Sequence, residues 1–183
     1  MLDGVARKSF TMLAAAGLAI GVVGVAVASV ARQRSEQRTV LAARRIALIG
    51  DSYAVGLGPE LAKLLPGFTS AGQVGSNTSQ WAGWLPGWLT TYQPTLTLVA
   101  LGVNDGNAPN AVNYHAVVSA LHGIGSRVVW IEPPAAVYTP NVRAVIESLG
   151  VEVVPGANVP LAVDGLHPAN YGTWAAIVAK AVG

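Results

Sequence analysis

After residue 45, this chain alternates five times between a short apolar run and a longer stretch with helical character. Short runs that are apolar on both faces are typical of strands buried in a parallel sheet, because helices cover such a sheet on both sides. The pattern therefore predicts a doubly wound, three-layer α/β/α domain with a five-stranded parallel sheet. A (β/α)₈ barrel is excluded because it needs about eight such units. The predicted strands are Arg45–Ile49, Phe68–Ala71, Leu96–Leu101, Arg127–Ile131 and Val151–Val154.

Helices are predicted between and after these runs, with glycine and proline at many of their ends. The second helix contains Pro86 and Gly87, which predict an interruption. The last helix is predicted to carry Pro168 in its first turn, a favoured position for proline. The predicted helices are Pro59–Leu65, Ser79–Tyr92, Ala111–Ile124, Pro140–Leu149 and Pro168–Val182.

The N-terminus contains one uncharged apolar run, Phe10–Ala31, of 22 residues. As a helix this run is about 33 Å long, enough to cross a hydrocarbon core of about 30 Å. We therefore predict a transmembrane or signal segment over residues 1–31, which contacts the membrane through residues 10–31. The polar residues 32–44 are predicted to be a linker to a catalytic domain over 45–183.

Cleavage and orientation of this segment stay open at the level of sequence. Ala26–Ala28 and Ser29–Ala31 both offer small residues spaced for signal cleavage, but the run is longer than a typical signal core. We favour an uncleaved anchor with the domain on the extracytoplasmic side. The arginines that follow the run, taken alone, predict a cytoplasmic domain, because basic residues that flank a membrane segment favour the cytoplasmic side.

The net charge of +2 comes from the N-terminus, where residues 1–38 carry five basic and two acidic side chains. The remaining chain has no basic stripe with interleaved aromatics, so no nucleic-acid partner is predicted. The absence of cysteine excludes a disulfide scaffold and a thiolate metal site. His115 and His122 share a helical face without a carboxylate cluster, so we predict no metal, and no phosphate-loop pattern indicates a nucleotide cofactor.

Polar residues follow the predicted strands at four places, and ligands bind at the carboxyl ends of such strands. Three of these residues suit nucleophilic catalysis. Ser52 lies at a strand-to-helix turn that would expose its hydroxyl, His167 is a suitable general base, and Asp164 is close enough in sequence to orient His167. The four segments are Gly50–Ser52, Gly72–Gly75, Gly102–Asp105 and Asp164–Pro168.

The same segments also supply hydrogen-bond donors for a negatively charged oxygen. The candidate donors are the Ser52 N–H, the Gly75 N–H and the side-chain amide of Asn104. Together they predict an oxyanion hole with three donors. Asp51 and Asp105 are predicted to be structural, the first buried and the second bracing neighbouring loops.

These four segments closely resemble the SGNH (GDSL-type) hydrolase family, which is named for Ser, Gly, Asn and His in four blocks. The blocks read GDS at 50–52, glycine at 75, GVND at 102–105 and DGLHP at 164–168, in the family's order and across residues 45–183. The resemblance implies a flavodoxin-like fold and hydrolysis of carboxylic esters through an acyl-enzyme intermediate, without a metal or cofactor. It also implies small-molecule, glycan or lipid esters as substrates, including short-chain acyl esters and acetylated carbohydrates.

Two departures and two alternatives accompany this resemblance. The loop after Gly75 looks longer than the usual family form, which leaves Gly72 as an alternative backbone donor. The short connections predict a fairly open cleft. An acyltransferase on the same fold, or a catalytically silent binding or structural domain, would preserve much of the same pattern.

Three tryptophans follow the second block at helical spacing: Trp81, Trp84 and Trp88. They fit either of two roles, packing of the helix on the sheet or an aromatic wall beside the site that binds substrate. Trp130 lies in a predicted strand and Trp174 in the last helix, so both are predicted to be core residues.

Overall fold

The computed structural model describes residues 45–156 and 158–183. The predicted N-terminal segment and linker, residues 1–31 and 32–44, lie outside the described residues. Over the part of the chain that the structure describes, none of the helices has both the length and the apolar character needed to cross a membrane.

Strands and helices alternate strictly along the described residues, as the sequence pattern predicts. The strands are β1 Ile46–Gly50, β2 Phe68–Gly72, β3 Leu96–Ala100, β4 Arg127–Ile131 and β5 Glu152–Val154. The helices are α1 Ser52–Leu64, α2 Thr78–Leu89, α3 Ala111–Gly123, α4 Pro140–Ser148 and α5 Tyr171–Val182.

The five strands form one parallel sheet in the order β2-β1-β3-β4-β5. β1 is paired on both sides: its Ile46 pairs with Phe68 of edge strand β2 and with Leu96 of central strand β3. The order in which successive strands are added reverses at β1, since β2 lies on one side of it and β3 on the other. The connections after β1 and β3 therefore lie on opposite faces of the sheet. This divergence opens a crevice at the carboxyl ends of β1 and β3, the usual ligand position in such folds.

Alternate residues of each strand face two separate hydrophobic cores. Leu48 of β1 packs in the core that contains α1 and α5, whereas Ile49 packs in the core that contains α2, α3 and α4. Trp174 of α5 and Trp130 of β4 are fully buried in these two cores, one in each. The arrangement confirms the predicted three-layer fold, with a flavodoxin-like strand order.

Two helices differ at their N-termini from the sequence prediction. Helix α1 begins at Ser52 rather than Pro59, because the Asp51 side chain accepts a hydrogen bond from the Tyr53 N–H and caps the helix there. Helix α5 begins at Tyr171 with Asn170 as its cap. Pro168 does not start this helix as predicted, because it pairs with Leu161 in an isolated bridge.

Helix α2 is continuous, whereas the sequence predicts an interruption at Pro86 and Gly87. A reciprocal capping box between Asn77 and Gln80 supports its start. Pro86 removes its own N–H from the helical ladder, but the buried side chains of Trp81 and Leu85 hold this segment on the sheet. Tertiary packing therefore outweighs the local cost of the proline.

Candidate active site

Ser52 lies at the carboxyl edge of the sheet, as the first residue of α1 directly after buried strand β1. The Asp51 Oδ1 atom accepts a hydrogen bond from the Tyr53 N–H at 2.9 Å, and the Asp51 N–H donates to the Ala100 carbonyl at the end of β3 at 3.1 Å. These bonds hold the turn between β1 and α1. The Ser52 hydroxyl is thereby placed where unpaired N–H groups at the start of α1 favour negative charge.

Ser52, His167 and Asp164 form a continuous hydrogen-bonded chain. The Nε2 atom of His167 lies 2.9 Å from the Ser52 Oγ, and its Nδ1 atom lies 2.7 Å from the Asp164 Oδ2. Ser52 and His167 are 115 positions apart in the sequence. The fold therefore brings together the three residues that the sequence predicts as nucleophile, base and orienting acid.

The Asp164 carboxylate is held by its own loop. Its Oδ1 atom accepts hydrogen bonds from the N–H groups of Leu166 and His167, each at 2.9 Å. The Leu166 N–H bond and the His167 contacts lower the pKa of Asp164 to about 2. A carboxylate that stays ionised favours the His167 tautomer with its proton on Nδ1, which leaves Nε2 free to accept the Ser52 proton.

The two predicted oxyanion donors outside Ser52 belong to connected loops. The Asn104 Nδ2 atom donates to the Ser76 carbonyl at 2.9 Å. An amide nitrogen carries two hydrogens, so one of them is engaged in this bond and the second can serve a ligand. Gly75 directly precedes Ser76, and so the Asn104 bond ties the two donor loops to each other.

Gly75 and Gly72 play different structural roles. Gly75 has a φ of +75°, a left-handed conformation that favours glycine, and the space around it is open. Gly72 ends β2, and a Cβ atom there would lie 2.7 Å from the Val55 nitrogen in α1. The close approach explains Gly72 by packing, which favours Gly75 as the residue that supplies the backbone donor.

Asp105 connects the loop after β3 to two helices. Its carboxylate accepts hydrogen bonds from the Thr78 N–H at 3.1 Å, the Thr78 hydroxyl at 2.6 Å and the Tyr114 hydroxyl at 2.8 Å. Thr78 is the first residue of α2, and Tyr114 lies in α3. This network braces the loop that carries Asn104, the role predicted for Asp105.

Sequence reasoning missed two features near the site, the contact of Tyr53 with the His167 loop and the raised pKa of Asp51. The Tyr53 hydroxyl donates to the Leu166 carbonyl at 3.0 Å, and the Tyr53 ring meets the His167 ring edge-on at 5.8 Å between centroids. No local pattern indicates the hydrogen bond, because Tyr53 and Leu166 are 113 positions apart.

The burial of Asp51 raises its pKa to about 7. Its Oδ2 atom is one of two buried side-chain nitrogen or oxygen atoms among the described residues without a hydrogen-bond partner.

The three tryptophans of α2 divide between the two predicted roles. Trp81 is buried, and its indole N–H contacts both the Gly50 carbonyl and the Ser76 hydroxyl at 3.0 Å. Trp84 is 46% exposed, and Trp88 is partly buried. All three line one cavity of about 330 Å³ together with Ala71, Gly72 and Gln73.

A second cavity, of about 310 Å³, lies at the amino ends of β1 and β2. It includes Arg45 and Ile46 at the start of β1, the end remote from Ser52. It is therefore not part of the candidate active site.

Among the described residues, no group of three or more His, Cys, Asp or Glu side chains is placed to hold a metal ion. His115 and His122 are both exposed on α3. The polar groups that the described residues bring to the carboxyl ends of the strands include a hydroxyl, an imidazole, a carboxylate and amide donors.

No known family pattern matches the sequence, and no curated protein matches it. Solved structures do resemble the fold. A family 3 carbohydrate esterase from Clostridium thermocellum is 20% identical with a TM-score of 0.60, over 75% of this chain and 94% of the esterase. The domain has an SGNH (GDSL-type) hydrolase fold.

Two further structures share this SGNH fold. A GDSL-like lipase from Bacteroides thetaiotaomicron is 17% identical with a TM-score of 0.59, over 82% of this chain and 95% of the lipase. A lipase/acylhydrolase from Enterococcus faecalis is 19% identical with a TM-score of 0.57, over 76% and 95% of the two chains. Because the matches cover 94–95% of these three structures, the described domain contains nearly all of their common fold.

Proposed function

We propose that this protein is a serine hydrolase that cleaves carboxylic esters through an acyl-enzyme intermediate. The observation that carries the proposal is the contact of 2.9 Å between the Ser52 Oγ and the His167 Nε2, continued by the contact of 2.7 Å to Asp164. A nucleophile, a base and a group that orients the base are the three parts that such catalysis requires. The esterases and lipases among the structures of similar fold support the same reaction class.

In the first half of the proposed reaction, the Ser52 Oγ attacks the ester carbonyl carbon while its proton passes to the His167 Nε2. The tetrahedral intermediate collapses, the carbon–oxygen bond to the alcohol breaks, and the proton on Nε2 goes to the leaving alcohol. In the second half, water attacks the acyl carbon and gives a proton to Nε2. The tetrahedral intermediate collapses, the bond from the acyl carbon to the Ser52 Oγ breaks, and the proton on Nε2 returns to Oγ as the acid product leaves. Asp164 stays ionised throughout and stabilises the imidazolium.

The negative charge on the carbonyl oxygen is stabilised in this proposal by the Ser52 N–H, the Gly75 N–H and the Asn104 amide. Each donor that points to the developing oxyanion is expected to lower the barrier by about 3 kcal/mol. The bond from Asn104 to the Ser76 carbonyl supports this role, because it holds the amide in one orientation before substrate binds.

The direct test compares wild type with Ser52→Ala in hydrolysis of p-nitrophenyl acetate and in labelling by a fluorophosphonate probe. We expect turnover and a single adduct on Ser52 in the wild type, and neither in the variant. Ser148→Ala is the matched control, because Ser148 is an exposed serine at the end of α4. Wild-type-like turnover by Ser52→Ala would refute the mechanism.

The same assay separates the alternatives. Transfer of the acyl group to an added sugar or lipid acceptor, in place of release of the free acid, would identify an acyltransferase. A folded wild type with neither turnover nor an adduct would identify a silent binding domain.

We also propose that the domain works on the extracytoplasmic side, held by the apolar segment 10–31. The length of this uncharged run, which matches a bilayer core, supports a membrane segment. Its likeness to a signal segment at the N-terminus supports export of the domain. A fusion of alkaline phosphatase to the C-terminus should be active if the domain is outside, and inactive if it is in the cytoplasm.

A further inference from the structure

A cleft lined by tryptophans lies at the end of β2, beside the loop that carries Gly75. We define the Trp cleft as the cavity of about 330 Å³ lined by Ala71, Gly72, Gln73, Trp81, Trp84 and Trp88. It lies where edge strand β2 ends against helix α2. Its lining residues belong to the segments that come directly before and after the Gly75 loop.

Two hydrogen bonds connect the Trp cleft to the residues around Ser52. The indole N–H of Trp81 and the backbone N–H of Gln73 both donate to the Gly50 carbonyl, each at 3.0 Å. Gly50 is two residues before Ser52. The Trp81 N–H also contacts the Ser76 hydroxyl, and the Ser76 carbonyl accepts the Asn104 amide. A ligand in the cleft therefore rests on the same loops that hold the proposed oxyanion donors.

The lining of the cleft combines broad aromatic surface with an amide. Trp84 is 46% exposed, and Trp88 is partly exposed. Gln73 brings a side chain that can both donate and accept hydrogen bonds. Ala71 provides the one aliphatic side chain among these lining residues, and Gly72 has no side chain. An acyl chain is better served by an aliphatic channel, whereas a sugar ring offers an apolar face for an indole and hydroxyls for an amide.

The aromatic rings of the cleft are held by each other. Trp84 meets Trp81 edge-on at 5.8 Å between centroids, and Trp88 stacks on Tyr92 at 4.8 Å with an interplanar angle of 20°. Rings that are packed before binding lose little rotamer freedom when a ligand arrives, which favours affinity.

From these observations we infer that the Trp cleft binds the sugar ring of a carbohydrate ester whose acyl group reacts at Ser52. The inference rests on the proposed function and names the substrate class for it. Trp84 and Trp88 contact the sugar, Gln73 bonds to its hydroxyls, and Trp81 joins the cleft to the catalytic loops.

The test holds the acyl group constant and varies the alcohol. Acetylated xylo-oligosaccharide and p-nitrophenyl acetate transfer the same acetyl group, so the ratio of their kcat/KM values reports recognition of the sugar. We expect Trp84→Ala to lower this ratio about 5- to 10-fold, as for the loss of one aromatic contact, through a higher KM for the oligosaccharide. Trp84→Tyr should restore most of the ratio. Ile177→Ala, an equally exposed apolar residue on α5, should leave it unchanged.

A second series holds the alcohol constant and varies the acyl chain, with p-nitrophenyl acetate and p-nitrophenyl octanoate. If Trp84→Ala lowers kcat/KM for the octanoate selectively, the cleft is an acyl site and the inference is overturned. An oligosaccharide-to-acetate ratio unaffected by Trp84→Ala also overturns it.

Binding distinguishes failure of this inference from failure of the proposed function. Ser52→Ala should bind unacetylated xylo-oligosaccharide in calorimetry, and the double variant Ser52→Ala/Trp84→Ala should bind it about 5- to 10-fold more weakly. A wild type that does not hydrolyse p-nitrophenyl acetate refutes the esterase but leaves this binding test intact. No binding by Ser52→Ala refutes the sugar site, whatever the esterase result.

Discussion

The hydroxyl of Tyr53 donates a hydrogen bond of 3.0 Å to the carbonyl of Leu166. Tyr53 follows the proposed nucleophile Ser52, and Leu166 precedes the proposed base His167. The bond therefore joins the start of α1 to the loop that carries His167. We interpret Tyr53 as a positioning residue that keeps the serine hydroxyl and the imidazole at contact distance.

We expect Tyr53→Phe to lower kcat for p-nitrophenyl acetate about 3- to 10-fold, since it removes one hydrogen bond worth about 1 kcal/mol from a geometry-sensitive pair. The KM value should change little, because the hydroxyl is engaged by the Leu166 carbonyl and acts through the position of His167. Tyr92→Phe is the matched control, because it removes the hydroxyl of an exposed tyrosine in the second cavity and keeps the ring that stacks on Trp88. A loss in KM with unchanged kcat would contradict a positioning role.

Replacement of Asp164 tests the orientation of the base. Asp164→Asn can donate an N–H to the His167 Nδ1 and so favour the tautomer that cannot accept the Ser52 proton. We expect kcat to fall at least about 100-fold with folding intact. Because its pKa is about 2, Asp164 should contribute no titration to the rate profile of the wild type between pH 4 and 9.

Glu60→Gln is the control for Asp164→Asn, because Glu60 is a surface carboxylate paired with Lys63 in α1. It should keep wild-type kcat. Equal losses in Glu60→Gln and Asp164→Asn would show that the effect is one of general charge and not of orientation.

Asn104→Ala tests the proposed oxyanion hole. The variant removes the amide that is positioned by the Ser76 carbonyl, and we expect kcat to fall about 10²- to 10³-fold, the usual effect of losing one such donor. Asn107→Ala, an exposed residue of the same loop, should retain wild-type kcat. Retention of activity by Asn104→Ala would exclude its amide from the reaction.

The buried Asp51 carboxyl predicts a dependence of stability on pH. Burial raises its pKa from 3.8 to about 7, so the folded chain holds this proton more tightly than the unfolded chain. The contribution of Asp51 is most favourable at low pH and is progressively lost as pH rises from about 4 to about 7. Above pH 7 both states are ionised, and the full penalty of up to about 4 kcal/mol remains.

Asp51→Asn removes this titration and keeps the acceptor for the Tyr53 N–H. The free energy of unfolding of the variant, relative to wild type, should therefore increase between pH 4 and 7 in denaturant titrations. Glu147→Gln, an exposed carboxylate on α4, should show no comparable trend. A difference between Asp51→Asn and wild type that is independent of pH would contradict the raised pKa.

Sequence reasoning succeeded where local pattern controls structure and was wrong where packing decides it. The apolar runs predicted all five strands, because a buried parallel strand needs apolar residues on both faces. Pro86 predicted a break in α2 that the structure does not have, because Trp81 and Leu85 pack the helix on the sheet. The start of α5 was wrong because Pro168 pairs with Leu161, a contact that helix-start preferences do not describe.

The sequence by itself determined the α/β class and the four segments that supply Ser52, Gly75, Asn104 and His167, because periodicity and turn residues act between near neighbours in the chain. The tertiary structure decided how these segments meet. The contact between Ser52 and His167 closes over 115 positions. The same packing buries Asp51 and Trp81 but leaves Trp84 exposed. Burial and distance depend on which elements pack together, and no local stretch of sequence specifies that.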